Sequence, residues 1–215
     1  MTGVQTCALP ISHAHFYHLH RPSLRAIVQN NLRVLGTAPA IVIPSHVTDL
    51  ISDLGFSEII ELDWWNTSRH GSLSVTHVPS RHWGARILRD SHRGYGGYVL
   101  RAGRHSVYHA GDTAYFAGFR EIGRRLSPEL ALLPIGAYKP AWFMGPVHMS
   151  PAEALAAHRD LGAGTSVGMH YGTFQLADDG EEEPVQEIER LLAESAPPKP
   201  RFWLLDPGEG RDVPA

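Results

Sequence analysis

The chain has 215 residues, is 43% hydrophobic and 19% charged, and carries a formal net charge of -3, which suits one large globular domain with its own core. Its 19 Lys and Arg residues form no block and make no basic field for nucleic acid, and the single cysteine, Cys7, excludes a disulfide framework or a cysteine-based zinc finger. No apolar run approaches the ~20 residues of a membrane span and no export signal is present, so a cytoplasmic protein is the expectation.

The first eleven residues, Met1 to Ile11, resemble the in-frame translation of a sequencing-library adapter. On that reading they are not native, and the domain is residues 12–215, incomplete at its N-terminus. Residues 21–35 then predict a helix, with Pro22 at its start and Leu24, Ile27, Val28 and Leu35 on one face. Residues 40–44 read as a short buried strand. Ser45 is expected to cap a helix through Val47, Leu50, Ile51 and Leu54, stopped by Gly55. Residues 58–62 and 72–78 are further strands, and 97–102 with 106–110 read as a hairpin turning near Gly103 and Arg104. A helix over 115–126 leads to an apolar strand at 130–135. Ser150, Pro151 and Glu153 form a capping box that opens a helix to about Leu161. A strand at 166–170, a helix at 184–195 and a last strand at 201–205 complete an α/β chain. Its polar clusters fall where strands end, the usual place for ligand sites in layered α/β folds.

Fourteen histidines set the chemical question. His13, His15 and His18 lie within six residues, and positions 13 and 15 share a face if the chain is extended there. Such a cluster can place ligands on two adjacent metals, since neutral imidazole is the commonest metal ligand, or it can be a solvated polar loop. His82 follows a strand, as does Asp112, whose two oxygens can bridge two cations or simply cap a turn. His170 ends another strand between glycines, and His148 precedes the capping box, where it could bind substrate or cap a turn. His70, His77, His92, His105 and His109 are expected at the surface, and so are His20, His46 and His158.

The order of these residues is more specific than any one of them. A His-x-His-x-x-His cluster, a lone His, Gly111-Asp112-Thr113 and a strand-end His resemble the ligand series of the metallo-β-lactamase-like hydrolases. Pro79-Ser80-Arg81-His82-Trp83, Leu133-Pro134-Ile135-Gly136-Ala137-Tyr138, Trp142-Phe143-Met144, His148 and His170-Tyr171-Gly172-Thr173-Phe174 are similar to the N-acyl-phosphatidylethanolamine phospholipase D branch. The resemblance implies a four-layer αβ/βα sandwich with its first sheet incomplete, and two metals, usually zinc. Carried over by motif, His13, His15 and His82 would hold the first metal, His18 and His170 the second, and Asp112 would bridge them.

A shared water activated by the two metals would then hydrolyse a phosphodiester, with His148 stabilising developing charge. The products would be a phosphatidate and an N-acylethanolamine. The implied substrate is a phospholipid or other small molecule, with Trp142, Phe143 and Met144 in an acyl or membrane-facing patch. Peripheral membrane contact and a homodimer are candidate associations. A sugar-phosphate lactonase, another phosphodiesterase of the superfamily, or a catalytically impaired metal-binding fragment are the alternatives. One departure bears on all of them. Tyr17 stands where the family motif has an aspartate for the second metal, and His20 where it usually has an acid. A neutral phenol, with a pKa near ~10, is a poor zinc ligand, so the second site is expected to be the weaker.

Overall fold

The computed structural model describes residues 8–87 and 89–214. They fall into two compact units, one made of the residues up to Pro79 with Trp83–Gly103, the other of Ser80–His82 with the residues from Arg104 onward. Residues 1–7 of the adapter-like segment lie outside the described residues. The part that is described supplies a strand, β1 (Ala8–Pro10).

In the first unit β1, β2 (Ala40–Pro44) and β3 (Glu58–Leu62) form a parallel three-stranded sheet in the order β1-β2-β3. Between β1 and β2 the chain crosses through α1 (Arg21–Leu35), which begins and ends where the apolar spacing and Pro22 place it and buries Leu24 and Val28. Leu24 packs with Leu19, Ile41, Ile43, Val47, Ile51 and Leu54 in one core cluster. An antiparallel run follows, made of β4 (Thr67–His70), β5 (Leu73–Val78) and β6 (Gly97–Ala102). Val42 and Leu62 from the parallel sheet meet Val75 and Tyr98 from this run in a second cluster. That contact is two sheets burying their apolar faces against each other.

The helix expected after Ser45 does not form. Only Thr48–Leu50 makes a single 3-10 turn. Side chains from β3 and the residue after it take the groups a helix start would have used. Glu61 accepts from the backbone amides of Val47 and Thr48 at 2.9 and 2.8 Å, and the Ser45 hydroxyl donates to Asp63. His46 at φ 62 breaks the helical path as well.

The second unit is built on β7 (His105–His109), β8 (Leu130–Pro134), β9 (Thr165–Met169) and β10 (Phe202–Trp203), neighbours in that order and parallel throughout. The connections are α2 (Gly118–Leu126), the one-turn α3 (Ala141–Met144) with α4 (Pro151–Leu161), and α5 (Glu183–Glu194). The predicted capping box is present in full. Ser150 accepts from the Glu153 amide, and Glu153 accepts from the Ser150 amide at 2.8 Å. Helix α4 packs on α2, α5 and β8, and Phe119, Ile122, Leu133, Leu155 and Ile188 are buried in this unit's core. Two histidines expected at the surface are buried instead. His158 bonds Ser166 Oγ through Nδ1 at 2.8 Å. His77 is 1% exposed and stacks on Tyr98, with ring centroids 4.9 Å apart. Both help fill a core, which a surface residue does not.

Candidate metal centre

The first unit brings His13, His15 and His18 together just after β1. Ile11 still follows the sheet, donating to the Val42 carbonyl at 3.0 Å and accepting from the Tyr98 hydroxyl at 3.0 Å. The Ser12 carbonyl then accepts from the Gly96 amide, and the chain turns as His18 and Leu19 donate to the His15 carbonyl. Arg86 closes this turn by donating to the carbonyls of Ala14 and Leu19, while its guanidinium lies 3.9 Å from the Phe16 ring centroid. The outcome is three clustered imidazoles: His13 has its ring centroid 4.4 Å from that of His15 and 4.1 Å from that of His18.

The orientation of these rings matters as much as their proximity. Ser12 Oγ lies 3.0 Å from His13 Nδ1 and 3.4 Å from His18 Nδ1. One hydroxyl thus engages the same nitrogen on two rings, which turns Nε2 of each to other work. His13 Nε2 faces His15 Nδ1 across 2.9 Å. Nothing in the sequence points to Ser12, because a serine beside a histidine carries no distinguishing pattern. Tyr17, at the departure from the family motif, is 64% exposed.

In the second unit His82, Asp112, His148 and His170 converge. Asp112 follows β7 by way of Gly111, whose φ of 63 is a conformation glycine adopts without steric cost. The carboxylate is 6% exposed, and its Oδ2 lies 3.3 Å from His170 Nε2 and 4.0 Å from His82 Nε2. His82 donates from Nδ1 to the Val147 carbonyl at 3.1 Å, a backbone partner that fixes the ring and turns Nε2 toward Asp112. The His148 ring sits between the other two, 5.2 Å from His82 and 5.4 Å from His170 by centroid, stacked on the latter.

Thr113 ties the segments together. Its hydroxyl accepts from the Arg81 amide at 2.9 Å, and its carbonyl accepts from the Met149 amide at 3.0 Å. Burial pushes the His170 pKa down, but the hydrogen bond and charge of Asp112 outweigh it, and the net shift is upward.

Each unit therefore gathers donor types that metals take. The donor atoms are imidazole nitrogen and carboxylate oxygen, the set zinc takes, and the rings of His13, His18 and His82 are each held at the opposite nitrogen by a protein acceptor or hydroxyl. All six residues expected as ligands, and His148, lie in these two clusters. The histidines assigned elsewhere do not join them, except that the His109 ring accepts from the Gly111 amide at 3.0 Å and so shapes the turn to Asp112.

Parallel strands bearing histidine and aspartate just beyond their C-terminal ends, with helices between, are the arrangement of the metallo-β-lactamase fold. The chain belongs to the beta-lactamase superfamily, whose domain matches residues 6–171. A metal-dependent hydrolase of Rubrobacter xylanophilus is 33% identical over 178 residues, which is 80% of this chain and 68% of that protein. The N-acyl-phosphatidylethanolamine-hydrolyzing phospholipase D of Saccharomyces cerevisiae mitochondria is 31% identical over 208 residues, 93% of this chain and 43% of that one.

Among solved structures, a metallo hydrolase from the archaeon Ignicoccus hospitalis superposes with a TM-score of 0.67 at 24% identity, covering 94% of this chain and 77% of that one. The chain spans about half the length of the curated relatives it matches, as in the 56% covered of a Mycobacterium tuberculosis protein. No helix among the described residues is long and apolar enough to cross a membrane.

Proposed function

We propose that the two ligand clusters serve one two-metal hydrolytic centre, and that its substrate is a phosphodiester of the N-acyl-phosphatidylethanolamine type. The carrying observation is the Asp112 oxygen flanked by the Nε2 atoms of His170 and His82. A buried carboxylate shared by two imidazoles suits a bridging ligand. By the family's ligand series His13, His15 and His82 would hold one zinc, and His18 and His170 the other. Bound metals would supply Lewis acidity and a nucleophilic water at neutral pH.

The chain's own groups do the rest. Asp112 keeps the charge balance of its cluster. His148, stacked on His170, donates to a phosphoryl oxygen as negative charge develops there. The bond from phosphorus to the acylethanolamine oxygen breaks, that oxygen takes a proton, and water oxygen joins phosphorus. The yeast relative's printed activity supports this substrate class. So does the exposed apolar surface of the second unit, where Trp142 is 81% exposed beside Phe143 and where Phe174 is exposed too. That surface is the proposed peripheral contact with a membrane, for a protein otherwise at home in the cytoplasm. Residues 12–215 are the proposed hydrolase domain, and a homodimer is its candidate assembly.

The test is to load the chain with zinc and supply vesicles carrying N-acyl-phosphatidylethanolamine or, separately, a cyclic sugar-phosphate lactone. Phosphatidate and N-acylethanolamine in the first arm are the expected result. Turnover of the lactone alone rejects the substrate. No turnover in either arm by a fully loaded Tyr17→Asp variant rejects the enzyme reading.

A further inference from the structure

The ends of β8 and β9 run side by side beyond their registered pair, Pro134 with Met169, and Ile135 still donates to the Met169 carbonyl at 3.0 Å. The next residues are Gly136 and His170. A Cβ on Gly136 would stand 2.3 Å from the His170 carbonyl oxygen, so the loop after β8 lies directly on the backbone of His170. Ala137 and His170 both have left-handed backbone, at φ 60 and φ 63, which side-chain-bearing residues hold only when the surroundings impose it.

Asp179 does the imposing at Ala137. Its Oδ2 accepts from the Ala137 amide at 2.9 Å, and its Oδ1 accepts from the Tyr138 and Lys139 amides at 3.1 and 3.3 Å. The Asp178 amide adds a bond to the Lys139 carbonyl at 3.1 Å. Three successive amides on one carboxylate form a nest around it, and they fix the loop that rests on His170. Asp179, Gly136, Ala137 and His170 also share the wall of one cavity of about 190 Å³ in this unit.

We propose that Asp179 is a positioning residue for His170, holding the loop over residues 136–139 so that the His170 imidazole keeps the angle at which it faces Asp112. The inference rests on the reading of His170 as a metal ligand. Loss of an outer partner of a ligand typically weakens metal binding 10- to 100-fold.

The experiment uses the full chain and cobalt(II) as the probe, followed by its visible d–d spectrum during titration. Asp179→Ala is expected to weaken the second, weaker equivalent by about tenfold or more and to shift its spectrum, leaving the first equivalent within twofold. Asp179→Asn keeps one acceptor oxygen and should fall between. Adding Ala137→Gly to Asp179→Ala should recover part of the loss, because glycine adopts φ 60 without the steric cost that alanine meets once the clamp is gone. Two results overturn the inference: both equivalents unchanged within twofold in Asp179→Ala, or both weakened together with a loss of near-UV circular dichroism that Ala137→Gly does not recover. The His170→Ala control separates the clamp from the ligand assignment on which it rests. If that variant binds both equivalents as the unmodified chain does, the ligand assignment itself falls, and the clamp with it.

Discussion

Acid should destabilise this protein through a residue outside the proposed metal centre, and His77 is the place to look. Its ring is buried in β5, stacked on Tyr98, and neither nitrogen makes a hydrogen bond to a described residue. Gly96 packs so closely that a Cβ there would stand 2.3 Å from His77 Nε2. Burial is the main reason its pKa drops to about 4, with the nearby Leu62, Asp63 and Tyr95 carbonyls opposing it in part. In the unfolded chain the same ring titrates near 6.5.

The sign follows from which state binds the proton first. Above pH 6.5 both states are neutral and His77 adds no pH dependence. As pH falls from 6.5 toward 4 the unfolded chain is protonated and the folded one is not, so stability is lost through that window. Between pH 7.5 and 5 the loss is about 2 kcal/mol, or roughly 4–8 °C in Tm for a chain of this size. The assay is thermal and denaturant unfolding of the chain and of His77→Phe, both in chelator so that the ligand histidines contribute equally. Phenylalanine adds some overpacking, about 1–3 kcal/mol, but that cost does not vary with pH. The two pH profiles should diverge by about 2 kcal/mol over this range. Parallel profiles would refute the reasoning.

Two further predictions concern the first unit's cluster. Ser12→Ala removes the hydroxyl shared by His13 and His18 and should weaken metal affinity by roughly 10- to 100-fold. Competition against a chromophoric zinc chelator measures this, and a change under twofold would deny Ser12 its orienting role. Tyr17→Asp restores a carboxylate at the position where the family motif has one. It should tighten the second equivalent without altering the first, read by isothermal titration. An unchanged second affinity would mean that the exposed phenol is not what limits that site.

Much of the fold could be read from residue order because the signals were local. Pro22 and the apolar face bounded α1, and Ser150, Pro151 and Glu153 bounded α4, since both rest on interactions within one turn of the chain. β4 carries no such signal, since Thr67-Ser68-Arg69-His70 has no apolar alternation. It is a strand through its pairing with β5, which only the tertiary arrangement supplies. The helix after Ser45 failed for the converse reason. Its apolar spacing was sound, but Glu61 and Asp63, more than a dozen residues away, took its amides and its cap.

The candidate site divides along the same line. Its ligand types and order are written in the sequence. Their supports are a backbone carbonyl at Val147, a hydroxyl at Ser12 and a carboxylate at Asp179, and these carry no pattern until the chain is folded. The burial of His77 and His158 is not legible in the sequence, because a histidine's burial depends on neighbours distant in sequence.

The proposed centre requires that the histidines of both clusters, with Asp112, bind two metals. Titrating the metal-stripped chain with zinc, with elemental analysis of the product, tests it most directly. Two equivalents are expected, the first tight and lost in His13→Ala or His82→Ala, the second weaker and lost in His18→Ala or His170→Ala, and both impaired in Asp112→Ala. Two equally tight equivalents would contradict the role given to Tyr17. Binding unaffected by these substitutions would contradict the metal centre itself.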